Sequence, residues 1–184
     1  MLGFGHPGLT LGAATLAAGA AARWQRPWID RLAAKVDLRV LLIGSLLPDI
    51  IDKPLGMLFM AGTFSSGRIF AHTLIFLVLL AAAGWYLYRR RHRTWLLALA
   101  FGTFTHFIFD QMWRSPGTLL WPAFGLGFSR TDISDWLPHI FHNLFTDPSV
   151  YVPELAGLIV LGWFAWLVLR RHKAWAFLRH GKIA

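Results

Sequence analysis

Charged residues come in clumps along this chain, and the stretches between the clumps are apolar. Residues 69–88 contain no Asp, Glu, Lys or Arg, residues 94–109 contain none either, and residues 155–169 are apolar almost throughout. A helix rises about 1.5 Å per residue and crosses the hydrocarbon core with about 20 apolar residues. These three stretches predict membrane spans, the second of them running on toward Trp113. Residues 2–22 are uncharged and rich in Ala and Gly, which predicts a weaker span that packs closely on its neighbours through small residues. Residues 38–47 and 54–63 are apolar on either side of Pro48-Asp49-Ile50-Ile51-Asp52-Lys53-Pro54. Together they predict one more crossing, broken in the middle. Non-helical backbone at that depth is tolerated only where protein or a wet cavity covers it. The expected fold is all-α, a polytopic membrane helical bundle of about five spans in a single integral membrane domain over 1–184. One span is broken around the Pro-Asp-x-x-Asp segment.

Composition agrees with that reading. Of 184 residues 56% are hydrophobic and 15% charged, with a mean hydropathy of +0.51. Soluble domains carry about 25% charge, and so apolar a chain is not disordered. The absence of cysteine excludes disulfides, thiol nucleophiles and thiolate metal sites. A net charge of +9 points to nucleic acid or an anionic membrane face until its distribution is mapped. Arg23, Arg26, Arg31, Lys35 and Arg39 lie between the first two segments. Arg89, Arg90, Arg91 and Arg93 lie between the third and fourth, and Arg170, Arg171, Lys173, Arg179 and Lys182 follow the last. These are alternate connections. Loops left in the cytoplasm are rich in Lys and Arg, so one topology puts all of them inside, with the N-terminus outside and the C-terminus inside. The basic excess then reads as an orientation signal, and no nucleic-acid partner is expected.

The same topology assigns the connections. Residues 23–37 are a basic cytoplasmic connection, with 26–35 as an interfacial helix anchored by Trp24 and Trp28. The first span has no basic residue before it and Arg23 and Arg26 after it, the reverse of a signal peptide, and is expected to be retained. Residues 114–153 are an extracytoplasmic loop or lid. Within it Trp136, Leu137, His139, Phe141 and His142 predict an interfacial amphipathic piece.

Ionisable groups inside spans are costly and usually functional. His106 and Asp110 stand four apart on one helix face. His72 is near the start of the third span, Asp49 and Asp52 flank the break, and His6 precedes the first span. With Thr94 at the inner face, Asp49 lies about 15 Å up, His106 about 18 Å and Asp110 about 24 Å. All six fall in the outer half of the bilayer or at its outer face. Three His and three Asp in one layer point to a divalent metal site with N and O ligands, zinc foremost. The set is large enough for one metal with an open position or for two with shared carboxylates. The bland alternatives are interhelical hydrogen bonds, with Asp49 and Asp52 as caps of a restarted helix. Arg68 and Arg114, one turn before His72 and one turn after Asp110, are candidates to grip a phosphate. Equally, Arg114 pairs with Asp110 and Arg68 snorkels to headgroups.

Four short motifs occur in order: Gly5-His6, then Gly44-Ser45-Leu46-Leu47-Pro48-Asp49, then Arg68 leading to Ala71-His72-Thr73. The last is His106-Phe107-Ile108-Phe109-Asp110, followed by Trp121-Pro122. In that combination the chain resembles the YdjM-type inner-membrane metal-dependent hydrolases. It departs from them after the box: the family often reads Pro-Asp-x-Asp-His, whereas here Asp52 is three residues after Asp49 and Lys53 stands in place of the His. More distantly it resembles the His/Asp arrangement of zinc-dependent phospholipases C, an analogy at the level of the fold. The resemblance implies residence in the cytoplasmic (inner) membrane and a metal-dependent hydrolase. The depth of the ligand layer points to an amphiphilic substrate from the outer leaflet. The expected function is hydrolysis of a lipid-like ester or phosphoester by a metal-activated water. His6, Asp49, Asp52, His72, His106 and Asp110 are the expected ligands, and Asp49 or Asp52 takes the water proton. Arg68 and Arg114 contact substrate, and membrane lipid is the expected partner. Two alternatives stand beside it: a non-enzymatic membrane protein with a structural metal, and a small transporter.

Overall fold

The apolar stretches become helices in a computed structural model, which describes residues 3–23, 35–130 and 136–182. Four helices build the part that carries the candidate ligands: α1 (Gly5–Arg23), α2 (Leu38–Pro54), α3 (Leu74–Arg91) and α4 (Trp95–Phe109). They are followed by short α5 (Pro116–Leu119), α6 (Trp136–Thr146), long α7 (Pro148–Arg170) and α8 (Ala174–His180). No strand occurs among the described residues. By length and composition α7 is able to cross a membrane on its own, and α4 is apolar but shorter. The largest helix contacts pair α2 with α4, α1 with α7 and α3 with α4.

Small residues set the spacing of these pairs, as the first segment's composition predicts. A Cβ on Gly8 would fall on the Gly157 main chain, and one on Gly157 would fall on the Phe4 carbonyl. Between α2 and α4, a Cβ on Gly102 would stand 2.5 Å from the Ser45 nitrogen and 2.6 Å from the Leu41 oxygen. Close backbone approach of this kind is how helices associate where lipid removes the hydrophobic drive. The bundle buries polar side chains beside apolar ones such as Leu41, Ile69 and Met112, and exposes many large apolar ones. Thr10, Ser45, Asp52, His72, Thr103 and His106 are fully buried, while Leu16, Leu79, Ile159 and Leu169 are each more than 60% exposed.

The expected break at Pro48 is not there. α2 runs through Pro48 to Pro54 and only then loosens into a π-helical turn at Leu55–Phe59. Proline at 48 removes the N–H that would bond the Gly44 carbonyl. The Thr103 hydroxyl of α4 donates to that carbonyl instead, at 3.3 Å. A neighbouring helix thus satisfies the freed group and the α-helix continues.

Two boundaries also move. His72 is not on the third helix but on a separate 3₁₀ turn, Phe70–His72, and Thr73 caps α3 by accepting the Phe76 N–H at 3.2 Å. α7 starts at Pro148, so the loop expected over 114–153 holds α5, α6 and the head of α7. In α6, Phe141 and His142 are exposed, while the side chains of Trp136, Leu137 and His139 lie outside the described residues. So does most of the 23–37 connection, Trp24 and Trp28 included.

Substituting Gly102 by Ala should destabilise the detergent-solubilised protein by about 1–3 kcal/mol, because only backbone lies where the methyl would go. Gly19, which has nothing within 4 Å of its would-be Cβ, should tolerate the same change. Thermal unfolding of the two variants checks this.

Candidate metal centre

Asp52 organises one side of the site. Its buried carboxylate accepts the main-chain N–H groups of Ile69 (2.7 Å), Ala71 (2.9 Å) and His72 (3.1 Å). This pins the 69–72 turn against α2. The same carboxylate stands 2.7 Å from His72 Nδ1. With Nδ1 donating to Asp52, Nε2 of His72 is left with a lone pair. Opposite it, His106 Nδ1 lies 2.7 Å from the Ser45 carbonyl oxygen. A carbonyl only accepts, so His106 Nδ1 carries the hydrogen and its Nε2 also presents a lone pair.

The two Nε2 atoms face each other at 3.2 Å. Two lone pairs at that distance repel, so either one ring is protonated and donates to the other or a cation lies between or beside them. Ligands about 2.0–2.1 Å from a tetrahedral zinc are separated by about 3.3–3.4 Å, close to the observed spacing. Asp49 Oδ1 completes this group, 3.7 Å from His72 Nε2 and 3.9 Å from His106 Nε2.

His106 belongs to a second group as well. The His6 ring stacks on the His106 ring at 3.9 Å, and His6 Nε2 lies 3.2 Å from Asp110 Oδ1. Asp110 Oδ2 is 3.9 Å from His106 Nε2, four residues along the same helix. Nδ1 of His6 is buried without a hydrogen-bond partner among the described residues. Leaving such a group unsatisfied costs about 1–3 kcal/mol, which a metal bond at that nitrogen would relieve. In each of the two triads, His6–His106–Asp110 and Asp49–His72–His106, one donor atom per residue lies within 4.8 Å of the others. Imidazole and carboxylate donors of this kind suit zinc or a similar divalent ion.

Five of the six expected ligands therefore converge, from α1, α2, the 69–72 turn and α4. Asp52, the sixth, is placed behind His72 with its oxygens turned to four donors. Such a carboxylate fixes the ring and tautomer of a ligating His rather than touching the metal. Each outer carboxylate is also held by a cation. Lys53 Nζ reaches Asp49 Oδ2 at 2.7 Å, and Arg68 reaches Asp110 Oδ2 through Nε at 3.0 Å and Nη2 at 2.6 Å. The partner of Asp110 is thus Arg68, from the turn before His72, while Arg114 is exposed on the turn beyond α4.

The model of the YdjM inner membrane protein family matches residues 1–178. The chain belongs to that family. No curated protein and no solved structure matches it. Membership of the YdjM family makes this an inner membrane protein, in keeping with its many exposed large apolar side chains.

Some supports of this cluster carry no sequence motif of their own. Glu154 of α7 is buried and accepts the N–H groups of Phe4 (2.9 Å) and Gly5 (3.1 Å), which fastens the head of α1 just before His6. Its signal is an acid nearly two turns into an apolar helix. The Ser45 carbonyl has no such signal, because any residue supplies one. Lys53 is visible as the neighbour of Asp52, but its bond to Asp49 follows only once α2 is known to be unbroken.

Asp52→Asn should weaken zinc binding by about 10–100-fold without changing the number of ions held. Competition titration against a chromophoric chelator measures both quantities. A fall in stoichiometry would make Asp52 a ligand.

Proposed function

We propose that this protein is a membrane-embedded, metal-dependent hydrolase of a lipid-like ester or phosphoester. The observation that carries the reading is the pair of imidazole Nε2 atoms, 3.2 Å apart and each oriented through its Nδ1. A divalent ion held there would lower the pKa of a bound water and polarise an ester or phosphoryl oxygen. Among the three carboxylates, Asp49 is the accessible one: its side chain is 14% exposed, against 4% for Asp110 and 0% for Asp52. Proton transfer from water falls to Asp49, with Lys53 holding its other oxygen.

The surroundings favour an amphiphile. Lys53 and Arg68, one beside each outer carboxylate, have side chains 34% and 45% exposed and offer positive charge to a phosphate at the rim. Arg114, the other candidate for contact with substrate, is exposed on the turn beyond α4. Two residues beyond His72 begins an apolar groove of about 410 Å³ between α3 and the α5 turn, lined by Leu74, Val78, Leu79, Leu120 and Trp121. It fits an acyl chain whose headgroup lies at the ligands. In the supporting topology, five segments cross, the basic connections stay in the cytoplasm and the ligand layer faces outward.

A structural metal site is the second reading, favoured by the complete burial of His6, His72 and His106. The two readings part in one assay. Zinc-loaded protein in proteoliposomes, offered lipid esters and lipid phosphoesters, should hydrolyse one class in a chelator-sensitive way. Asp49→Asn should lower kcat by about a hundredfold or more. No hydrolysis by loaded, folded protein, with chelation lowering only its thermal stability, would leave the structural reading.

A further inference from the structure

A second polar assembly lies at the opposite end of α4, about 20 Å along the helix from the metal ligands. There a cavity of about 330 Å³ opens among Lys35, Asp37, His92, Arg93, Trp95 and Lys182. Its walls come from three separate parts of the chain, tied together by hydrogen bonds. The Thr94 hydroxyl donates to the Lys35 carbonyl at 2.7 Å. The Leu38 N–H donates to the Gly181 carbonyl at 2.9 Å. Arg39 Nη1 donates to the Leu178 carbonyl at 2.6 Å.

The one acid in this cavity does not serve its cations. Asp37 is taken by Arg39, through Nε at 3.0 Å and Nη2 at 2.5 Å, and it caps α2 through the Arg39 N–H at 2.9 Å. The Arg39 side-chain hydrogen bonds hold its carboxyl below the usual carboxylate range, so its charge persists and stays matched to Arg39. Lys35, Arg93 and Lys182 are left around the cavity with no side-chain hydrogen bond or ion pair among the described residues. Three unmatched cations facing one space repel each other and attract an anion. Trp95, 44% exposed, is of the type that marks the headgroup level of a bilayer.

We propose that this cavity binds the phosphate of an anionic phospholipid headgroup, with Lys35, Arg93 and Lys182 as its charge partners. A guanidinium offers a forked pair of donors and the two ammonium groups offer point charges. Basic pockets at the cytoplasmic ends of membrane helices commonly hold such headgroups. The site is separate from the metal ligands and does not rest on the hydrolase reading.

The test uses the full chain in zwitterionic detergent, with phosphatidylglycerol, phosphatidylcholine and inorganic phosphate as probes. Native mass spectrometry reads bound lipid, and thermal unfolding reads stabilisation. Phosphatidylglycerol should be retained in preference to phosphatidylcholine. The pair Arg93→Gln and Lys182→Gln should weaken its binding roughly tenfold or more. The exposed control pair Arg90→Gln and Arg171→Gln removes the same charge elsewhere on that side and should change it less than about twofold. All four side chains are exposed, so folding is not at stake. Equal losses in both pairs, or equal retention of the two lipids, would overturn the site. Stabilisation by inorganic phosphate that matches phosphatidylglycerol would overturn the lipid as its source.

Discussion

The buried carboxylate of Asp52 is the constraint on which the rest of the site depends. It takes three main-chain N–H groups and one imidazole N–H. In doing so it sets where the chain turns before α3, which tautomer His72 adopts and which way its lone pair points. Without that carboxylate the 69–72 turn has buried donors and no acceptor, a situation costing about 1–3 kcal/mol per group. Arg68 leads into the same turn, and its guanidinium ties Asp110 of α4 to it. One acid on α2 therefore places His72, orients its ring and sets the turn from which Arg68 reaches Asp110.

Helix packing supplies the other half of the geometry. The α2–α4 contact is close because Gly44 and Gly102 leave room for backbone against backbone. That closeness lets the Ser45 carbonyl reach His106 and lets the Thr103 hydroxyl reach the Gly44 carbonyl. Proline 48 is then an asset, since it frees the carbonyl that Thr103 binds while α2 stays helical. On the far side, α7 fastens α1 through Glu154 and the Gly8–Gly157 approach, and so brings His6 onto the His106 ring.

Much of this was legible in the sequence, for a physical reason. In an apolar chain, ionisable residues stand out, and helical rise within the charge-derived topology puts His6, Asp49, Asp52, His72, His106 and Asp110 in one layer. Helix content was legible because apolar runs of this length have few other forms in lipid. The continuity of α2 was not, because the bond that excuses Pro48 comes from Thr103, distant in sequence. Nor was the division of labour between Asp49 and Asp52. They are three apart on one helix, and spacing does not say which faces the imidazoles. That is decided by the 69–72 turn, whose position depends on Asp52 itself and on the Thr73 cap. The basic residues show a similar split. Their alternation with apolar stretches is plain in the sequence, but that three of them surround one cavity is visible only in the fold.

In the proposed hydrolase His72 and His106 present their Nε2 atoms to a shared divalent ion. X-ray absorption on untagged, zinc-supplied protein tests it most directly. The expected result is a nitrogen and oxygen shell at about 2.0–2.1 Å with imidazole scattering, lost when both His72 and His106 are replaced by Ala in protein that still folds. A folded parent that takes up no metal, or a double variant that keeps the same imidazole shell, would contradict it.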